Sequence, residues 1–180
     1  MQTLDQTNER AADLYWLTFL LTGDREASLD VTLEALGFAQ GANPFFSTWM
    51  LAWSRRVVIA KALAVIRDEL ATSARRTASK PAEKSTLPPR NWAPDRDATK
   101  VVLERALLAI DVFPRCALLL SVFEGMSVED AAILLDSDRD LVRKAHLTGL
   151  RALTHNLARM RGWTSTANRS YVVTSELQDA

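Results

Sequence analysis

The sequence contains little cysteine, glycine or proline and has no excess of charge of either sign. Its 180 residues include one Cys, six Gly, six Pro, and 22 basic against 22 acidic side chains. The single cysteine, Cys116, cannot form an internal disulfide, which fits the reducing cytoplasm. The scarcity of glycine and proline favours helices. A net charge of zero argues against a uniformly basic nucleic-acid-binding protein, although a local basic patch is sufficient for such binding.

Long hydrophobic runs are also missing. The most apolar stretches, residues 14–21 and 116–123, are shorter than the roughly 20 residues that a membrane helix needs. Residues 1–13 are polar and do not resemble a secretory signal. No metal-ligand spacing, glycine-rich phosphate loop or nucleophile–base pair is visible, and His146 and His155 have no ligand partners near them in the sequence. The sequence therefore predicts a cytoplasmic protein without membrane insertion, cofactor or enzymatic activity.

With 48% hydrophobic residues, the chain can bury one medium core or two small ones. Apolar side chains recur at helical spacing, and alternating strand patterns are almost absent. Residues 77–97 are rich in Pro, Ser, Lys and Arg, which is typical of a flexible linker. We therefore expect an all-α fold of two small helical domains. The expected boundaries are a three-helix bundle over 1–76, a linker over 77–97, a second helical domain over 98–162 and a polar tail over 163–180.

Three helices are expected in the first domain. The first covers residues 4–21 and is ended by Thr22-Gly23-Asp24, because glycine commonly follows a helix C-terminus. The second extends to about Ala39. The third is the longest helical run of the chain, over residues 45–76, and its aromatic residues Trp49 and Trp53 have the spacing of a packed core.

A helix-turn-helix is predicted over residues 127–153. Ser127 and Asp130 have the spacing of a capping box at the start of a short helix. Asp136, Ser137 and Asp138 favour a turn, and a second helix begins near Arg139. Its expected buried face consists of Val142, His146, Gly149, Leu150, Leu153 and Leu157. Basic side chains lie outside that face, as in a DNA-binding helix-turn-helix, although a plain αα-hairpin shares this layout.

Residues 113–153 resemble region 4 of sigma-70 family factors, especially the small extracytoplasmic-function type. The matching positions are Glu124, Gly125, Met126, Ser127, Glu129, Asp130, Ala132, Leu135, Val142, Arg143, Leu150 and Leu153. Residues 14–36 are similar to region 2 of the same family, with a helix that ends in Leu-Thr-Gly-Asp before an acidic helix. Residues 49–67 resemble the later, basic part of that region.

The resemblance implies two partners, core RNA polymerase and promoter DNA, and also allows an anti-sigma factor. Asp30 and Glu34 match the acidic positions of the polymerase-docking helix. The positions implied for the −10 DNA backbone are Arg55, Arg56, Lys61 and Arg67. The positions implied for the −35 element are Arg139, Arg143, Lys144, Thr148 and Arg151. Each of these side chains could instead belong to a solvated helix face.

The turn departs from the family pattern. Asp136 and Ser137 stand where the family usually has Gly followed by Ile or Val. Asp136, Asp138 and Asp140 bring like charges to the end of the motif that should approach phosphates. The sequence therefore leaves two interpretations open: a divergent sigma factor, and a sigma-like module that binds an anti-sigma factor or polymerase without recognising a promoter. An output domain of a two-component regulator would need an α/β receiver, for which the first half has no strands.

Overall fold

The computed structural model describes residues 2–39, 47–80 and 99–160. Within these ranges the chain is helical and contains no strand, which confirms the all-α prediction. The α-helices are α1 (Gln2–Thr22), α2 (Arg25–Ala39), α3 (Ser47–Val65), α4 (Arg67–Ser79), α5 (Lys100–Leu108), α6 (Val112–Leu118), α7 (Val128–Leu134) and α8 (Arg139–Met160). A π-helical turn, Leu119–Phe123, extends α6. The rest of the expected linker, from residue 81, and the expected tail lie outside the described residues.

The turn between α1 and α2 forms where the sequence predicts it. Gly23 has φ +76°, a left-handed conformation that glycine adopts without steric cost. The Asp24 side chain then accepts a hydrogen bond from the backbone N–H of Ala27 at 2.9 Å. The hydroxyls of Thr22 and Ser28 lie 2.9 Å apart beneath this turn. These contacts fix the angle at which α2 leaves α1.

The predicted long helix over residues 45–76 is wrong in one respect, because it is divided at Ile66. The backbone there has φ −99° and ψ 15°, and α4 starts at the next residue with Asp68 and Glu69 in its first turn. Acidic side chains suit the positive end of a helix dipole, so they favour a new N-terminus here. At its other end α4 continues to Ser79, so residues 77–79 of the predicted linker are helical.

One hydrophobic core joins the two parts of the chain. We call the described residues up to 80 the first half and residues 99–160 the second half. The first half contributes buried residues that include Leu17, Leu20, Leu21, Ile59, Leu63, Ile66 and Leu70. The second half contributes residues that include Leu107, Phe113, Cys116, Leu118, Leu120, Ala131 and Val142. The division into two domains stays a prediction, and the described helices α1 and α4 pack directly against α5, α6 and α8.

The buried face of α8 agrees with the predicted face only in part. Val142 and Gly149 are buried as predicted, and Ala145 and Ala158 are buried as well. Leu150 is 45% exposed, and His146, Leu153 and Leu157 are only partly buried. Gly149 lies where α8 crosses α6: a Cβ added to it would be 2.5 Å from the carbonyl oxygen of Pro114. The helices therefore approach more closely than a larger residue at position 149 would permit.

Cys116 is fully buried in the shared core, and this burial raises the pKa of its thiol to about 12. The thiolate is the reactive form, so the folded protein should react only very slowly with thiol reagents between pH 7 and 9. We expect rapid stoichiometric labelling in denaturant as the matched control. Rapid labelling of the native protein would contradict the buried position of this side chain.

Candidate nucleic-acid interface

The helix-turn-helix begins with the predicted cap. The Ser127 hydroxyl accepts a hydrogen bond from the backbone N–H of Asp130 at 3.0 Å and donates one to Asp130 Oδ2 at 2.8 Å. Gly125, with φ +63°, turns the chain just before this cap. A Ser N-cap satisfies a backbone donor that the first turn of a helix leaves free. The short helix α7 therefore starts at a defined residue and a defined angle.

The acidic turn has a local structural role. Asp136 has φ +47°, the left-handed conformation in which Asp is one of the few tolerated non-glycine residues. Asp138 Oδ1 accepts hydrogen bonds from the backbone N–H groups of Asp140 at 2.7 Å and Leu141 at 3.3 Å. Asp138 thus caps α8, and its negative charge lies at the positive end of the helix dipole. Two of the acidic residues that depart from the family pattern therefore shape the turn.

Three of the predicted −35 residues, Arg139, Arg143 and Arg151, are exposed on α8. Arg139 pairs with Glu129 of α7 at 3.1 Å, and Arg143 pairs with Asp140 at 2.8 Å. The pKa of Glu129 is lowered, first by a hydrogen bond from its own backbone N–H and then by Arg139. Arg151 is exposed and has no hydrogen bond or ion pair with any residue that the structure describes. Exposed pairs of this kind are weak, so these guanidinium groups can exchange their carboxylate partners for phosphates.

Lys144 and Thr148 lie on the side of α8 that faces the C-terminus of α4. The Lys144 ammonium donates hydrogen bonds to the carbonyl oxygens of Ala78 at 3.0 Å and Lys80 at 2.8 Å. The Thr148 hydroxyl donates to the carbonyl oxygen of Lys144 at 2.8 Å. A lysine at this position satisfies carbonyl groups that the last turn of a helix leaves free. Lys144 is therefore engaged by the first half of the chain.

A cleft of about 570 Å³ separates the end of α4 from α8. The basic residues Arg76, Lys80, Lys144 and Arg151 line it, with Asp111 as the one acidic residue of the lining. Asp111 accepts two hydrogen bonds from Arg76, at 2.6 and 3.0 Å, and these bonds lower the pKa of its carboxyl group. The cleft therefore carries an excess of positive charge along part of the predicted DNA-binding helix.

The predicted −10 residues do not form one cluster. Arg55 makes a bidentate ion pair with Glu124, both N–O distances being 2.6 Å, and the Glu124 side chain is only 6% exposed. This hydrogen bonding raises the pKa of the Arg55 guanidinium. Lys61 of α3 pairs with Glu34 of α2, so a predicted DNA contact and a predicted polymerase contact bind each other. The remaining members of the two predicted sets, Arg56, Arg67 and Asp30, are exposed.

The sequence did not indicate which residues from distant parts of the chain lie beside the predicted DNA-binding side chains. Glu124 was matched to the family only as part of a turn, yet it binds Arg55 at a sequence separation of 69 residues. Lys80 lies within the predicted linker and Arg76 directly precedes it, yet both line the cleft beside α8. The signal that could have indicated the first pair is that Glu124 is the only charged residue of the stretch 116–126. Nothing local to the sequence indicated which residue would bind it.

Across residues 2–39, 47–80 and 99–160, no group of His, Cys, Asp or Glu side chains could hold a metal ion. No helix in these ranges is both long and apolar enough to cross a membrane. Comparisons of the chain with protein-family models, with curated proteins and with solved structures found no match.

Proposed function

We propose that this protein is a divergent sigma-70-type factor that binds core RNA polymerase and directs it to promoters. The observation that carries the proposal is the capped helix-turn-helix α7–α8, whose second helix exposes Arg139, Arg143 and Arg151. In helix-turn-helix proteins this second helix enters the major groove, where Arg and Lys bind guanine edges and phosphates. Region 4 would thereby read the −35 element.

In this proposal the first half binds polymerase and the −10 element. Exposed acidic residues on α2, Asp30 and Glu34, suit a basic surface of the polymerase and would steer it into register. Cations on α3 and α4 would neutralise DNA phosphates, a contribution that adds affinity without sequence information. The protein would supply affinity and orientation, while the polymerase performs the chemistry of transcription.

The alternative function is a sigma-like interaction module that binds an anti-sigma factor or polymerase without recognising a promoter. The observation that favours it is the pairing of Arg139 with Glu129 and of Arg143 with Asp140 beside an acidic turn. Carboxylates at this surface repel phosphates and reduce the affinity for DNA. The same carboxylates would suit a basic protein partner.

Reconstituted transcription tests both functions. The purified protein is added to sigma-free core polymerase on genomic DNA, and transcript ends are mapped. Discrete start sites that share upstream elements would support the sigma factor. Binding to polymerase without initiation would support the interaction module, and the absence of any binding to polymerase would contradict both polymerase-binding proposals.

A charge-reversal variant tests DNA binding by α8. Arg143→Glu combined with Arg151→Glu should weaken binding to duplex DNA by about tenfold to a hundredfold and lower the salt dependence of the affinity by about two phosphate contacts. The control is Arg10→Glu combined with Arg105→Glu, which makes the same change in net charge at exposed residues of α1 and α5. An equal loss in the control would show that only net charge matters, which would contradict a DNA-reading role for α8.

A further inference from the structure

The cleft between the end of α4 and α8 combines cations with an apolar wall. Its volume of about 570 Å³ lies within the range of small-molecule binding sites. Leu147, which is 50% exposed, forms part of the wall. The other apolar residues of the lining are Ala109, Ile110, Pro114 and Ala152. The cleft therefore offers apolar surface to the body of a ligand and positive charge to its polar group.

The charge of the cleft remains positive after its internal ion pair is counted. Arg76 and Asp111 neutralise each other through two hydrogen bonds. The cations that then remain are Lys80, Lys144 and Arg151, and none of them forms an ion pair with a residue that the structure describes. Cations gathered around one cleft repel one another, so an anionic ligand is favoured there.

Lys144 is held in position without losing its charge. Its ammonium group donates hydrogen bonds to the carbonyl oxygens of Ala78 at 3.0 Å and Lys80 at 2.8 Å. An ammonium group has three N–H donors, so these two contacts leave one for a ligand. Carbonyl oxygens carry no net charge and do not neutralise it. The end of α4 therefore pre-positions a cation at the cleft, which lowers the entropic cost of binding an anion.

A phosphate monoester matches this set of cations better than a carboxylate does. It carries a charge of about −1.5 to −2 at pH 7 and three strong acceptor oxygens. The planar guanidinium of Arg151 can bind two phosphate oxygens, and a lysine binds phosphate as a compact charge. A carboxylate brings only two oxygens and a single charge to the three cations. The charge of the cleft therefore favours a phosphate.

We propose that this cleft binds a small organic phosphate, with the phosphate group among Lys80, Lys144 and Arg151 and the apolar body of the ligand against Leu147. This binding site does not depend on the proposed function. One consequence does rest on that function: Lys144 and Arg151 belong to the predicted −35 set, so a ligand phosphate excludes a DNA phosphate from the same side chains. The ligand then inhibits DNA binding by competition.

Titration of the full chain with 1-naphthyl phosphate tests the site. This probe joins a phosphate group to an apolar body, and inorganic phosphate and 1-naphthol supply the two parts separately. Amide shifts in two-dimensional NMR spectra report both the affinity and the location of binding. We expect a dissociation constant of about 0.1–1 mM for 1-naphthyl phosphate and binding at least about tenfold weaker for either part. The largest shifts should occur at residues 76–80 and 144–156, which line the cleft.

The variant that removes two cations from the cleft is Lys80→Ala combined with Arg151→Ala. Both side chains are exposed, so circular dichroism should show an unchanged fold. The control is Arg75→Ala combined with Arg159→Ala, which removes two exposed cations of α4 and α8 that do not line the cleft. We expect 1-naphthyl phosphate to bind the cleft variant about tenfold or more weakly, because charged hydrogen bonds are lost. The control should bind it within about twofold of wild type, since distant exposed charges are screened.

Three results would each overturn the site: no binding of 1-naphthyl phosphate, equally tight binding of either part alone, or an equal loss of affinity in the two variants. Competition is measured separately, as the affinity for mixed-sequence duplex DNA with the probe at about ten times its dissociation constant. Sodium chloride at equal ionic strength is the reference, and we expect the probe to lower the affinity for DNA about tenfold. An unchanged affinity would overturn the competition. A wild-type protein that binds no DNA would overturn the proposed function, while the titration alone would still decide the binding site.

Discussion

Replacing Gly149 with alanine is expected to lower the free energy of unfolding by about 2–3 kcal/mol. The added Cβ would lie 2.5 Å from the carbonyl oxygen of Pro114 and 3.1 Å from the Cβ of Leu118. The first neighbour is backbone, which cannot rotate away, so α6 and α8 must move apart. Alanine improves helix propensity by about 1 kcal/mol, which offsets only part of this cost. Urea unfolding followed by circular dichroism measures the change.

Gly37→Ala provides the matched control for that measurement. Gly37 also lies within a helix, α2, but among the described residues an added Cβ would meet no heavy atom within 4 Å outside the backbone of its own helix. We therefore expect this variant to be more stable than wild type by about 0.5–1 kcal/mol, through helix propensity alone. Opposite signs at the two glycines would establish the close crossing of α6 and α8. A Gly149→Ala protein as stable as wild type would contradict it.

Phe113→Ala is expected to have the largest effect, a loss of about 3–5 kcal/mol in the free energy of unfolding. The ring is fully buried in the core that both halves share, so its removal leaves a cavity lined by residues of each half. Because the halves share this core, protection from amide exchange should fall by similar amounts in α1 and in α8. Native-state exchange resolved by helix provides the measurement.

Val122→Ala is the control for Phe113→Ala. Val122 lies in the π-helical turn, and 52% of its surface is exposed, so its truncation should change the free energy of unfolding by less than about 1 kcal/mol. A loss of protection in the second half alone, after Phe113→Ala, would show two independently stable units. That outcome would support the sequence-based domain boundaries and contradict a common core.

Caps, turns and helix faces could be predicted from the sequence, because they depend on residues that are close together along the chain. Ser127 and Asp130 are three residues apart, so their cap follows from spacing alone. The turn at Gly23 follows from the conformational freedom of glycine. The inner face of α8 was assigned correctly at Val142 and Gly149, because helical periodicity locates a buried stripe. It was wrong at Leu150, because periodicity alone cannot distinguish the edge of a stripe from its centre.

Contacts between distant segments could not be predicted from these signals. The break at Ile66 depends on packing, since that buried side chain continues the apolar pattern without a proline or glycine to mark the end of a helix. The partners of Arg55 and Lys144 are 69 and about 65 residues away. Charge alone makes such residues candidates for phosphate binding, and only the three-dimensional fold shows which of them are already occupied.

The shared core also has a consequence for the turnover of the protein in a cell. If the chain is cut between its two halves, buried side chains such as Leu70, Leu107 and Phe113 lose part of their cover. Exposed apolar surface of this kind is recognised by chaperones and proteases and promotes aggregation. We therefore expect either half alone to be degraded faster than the intact chain.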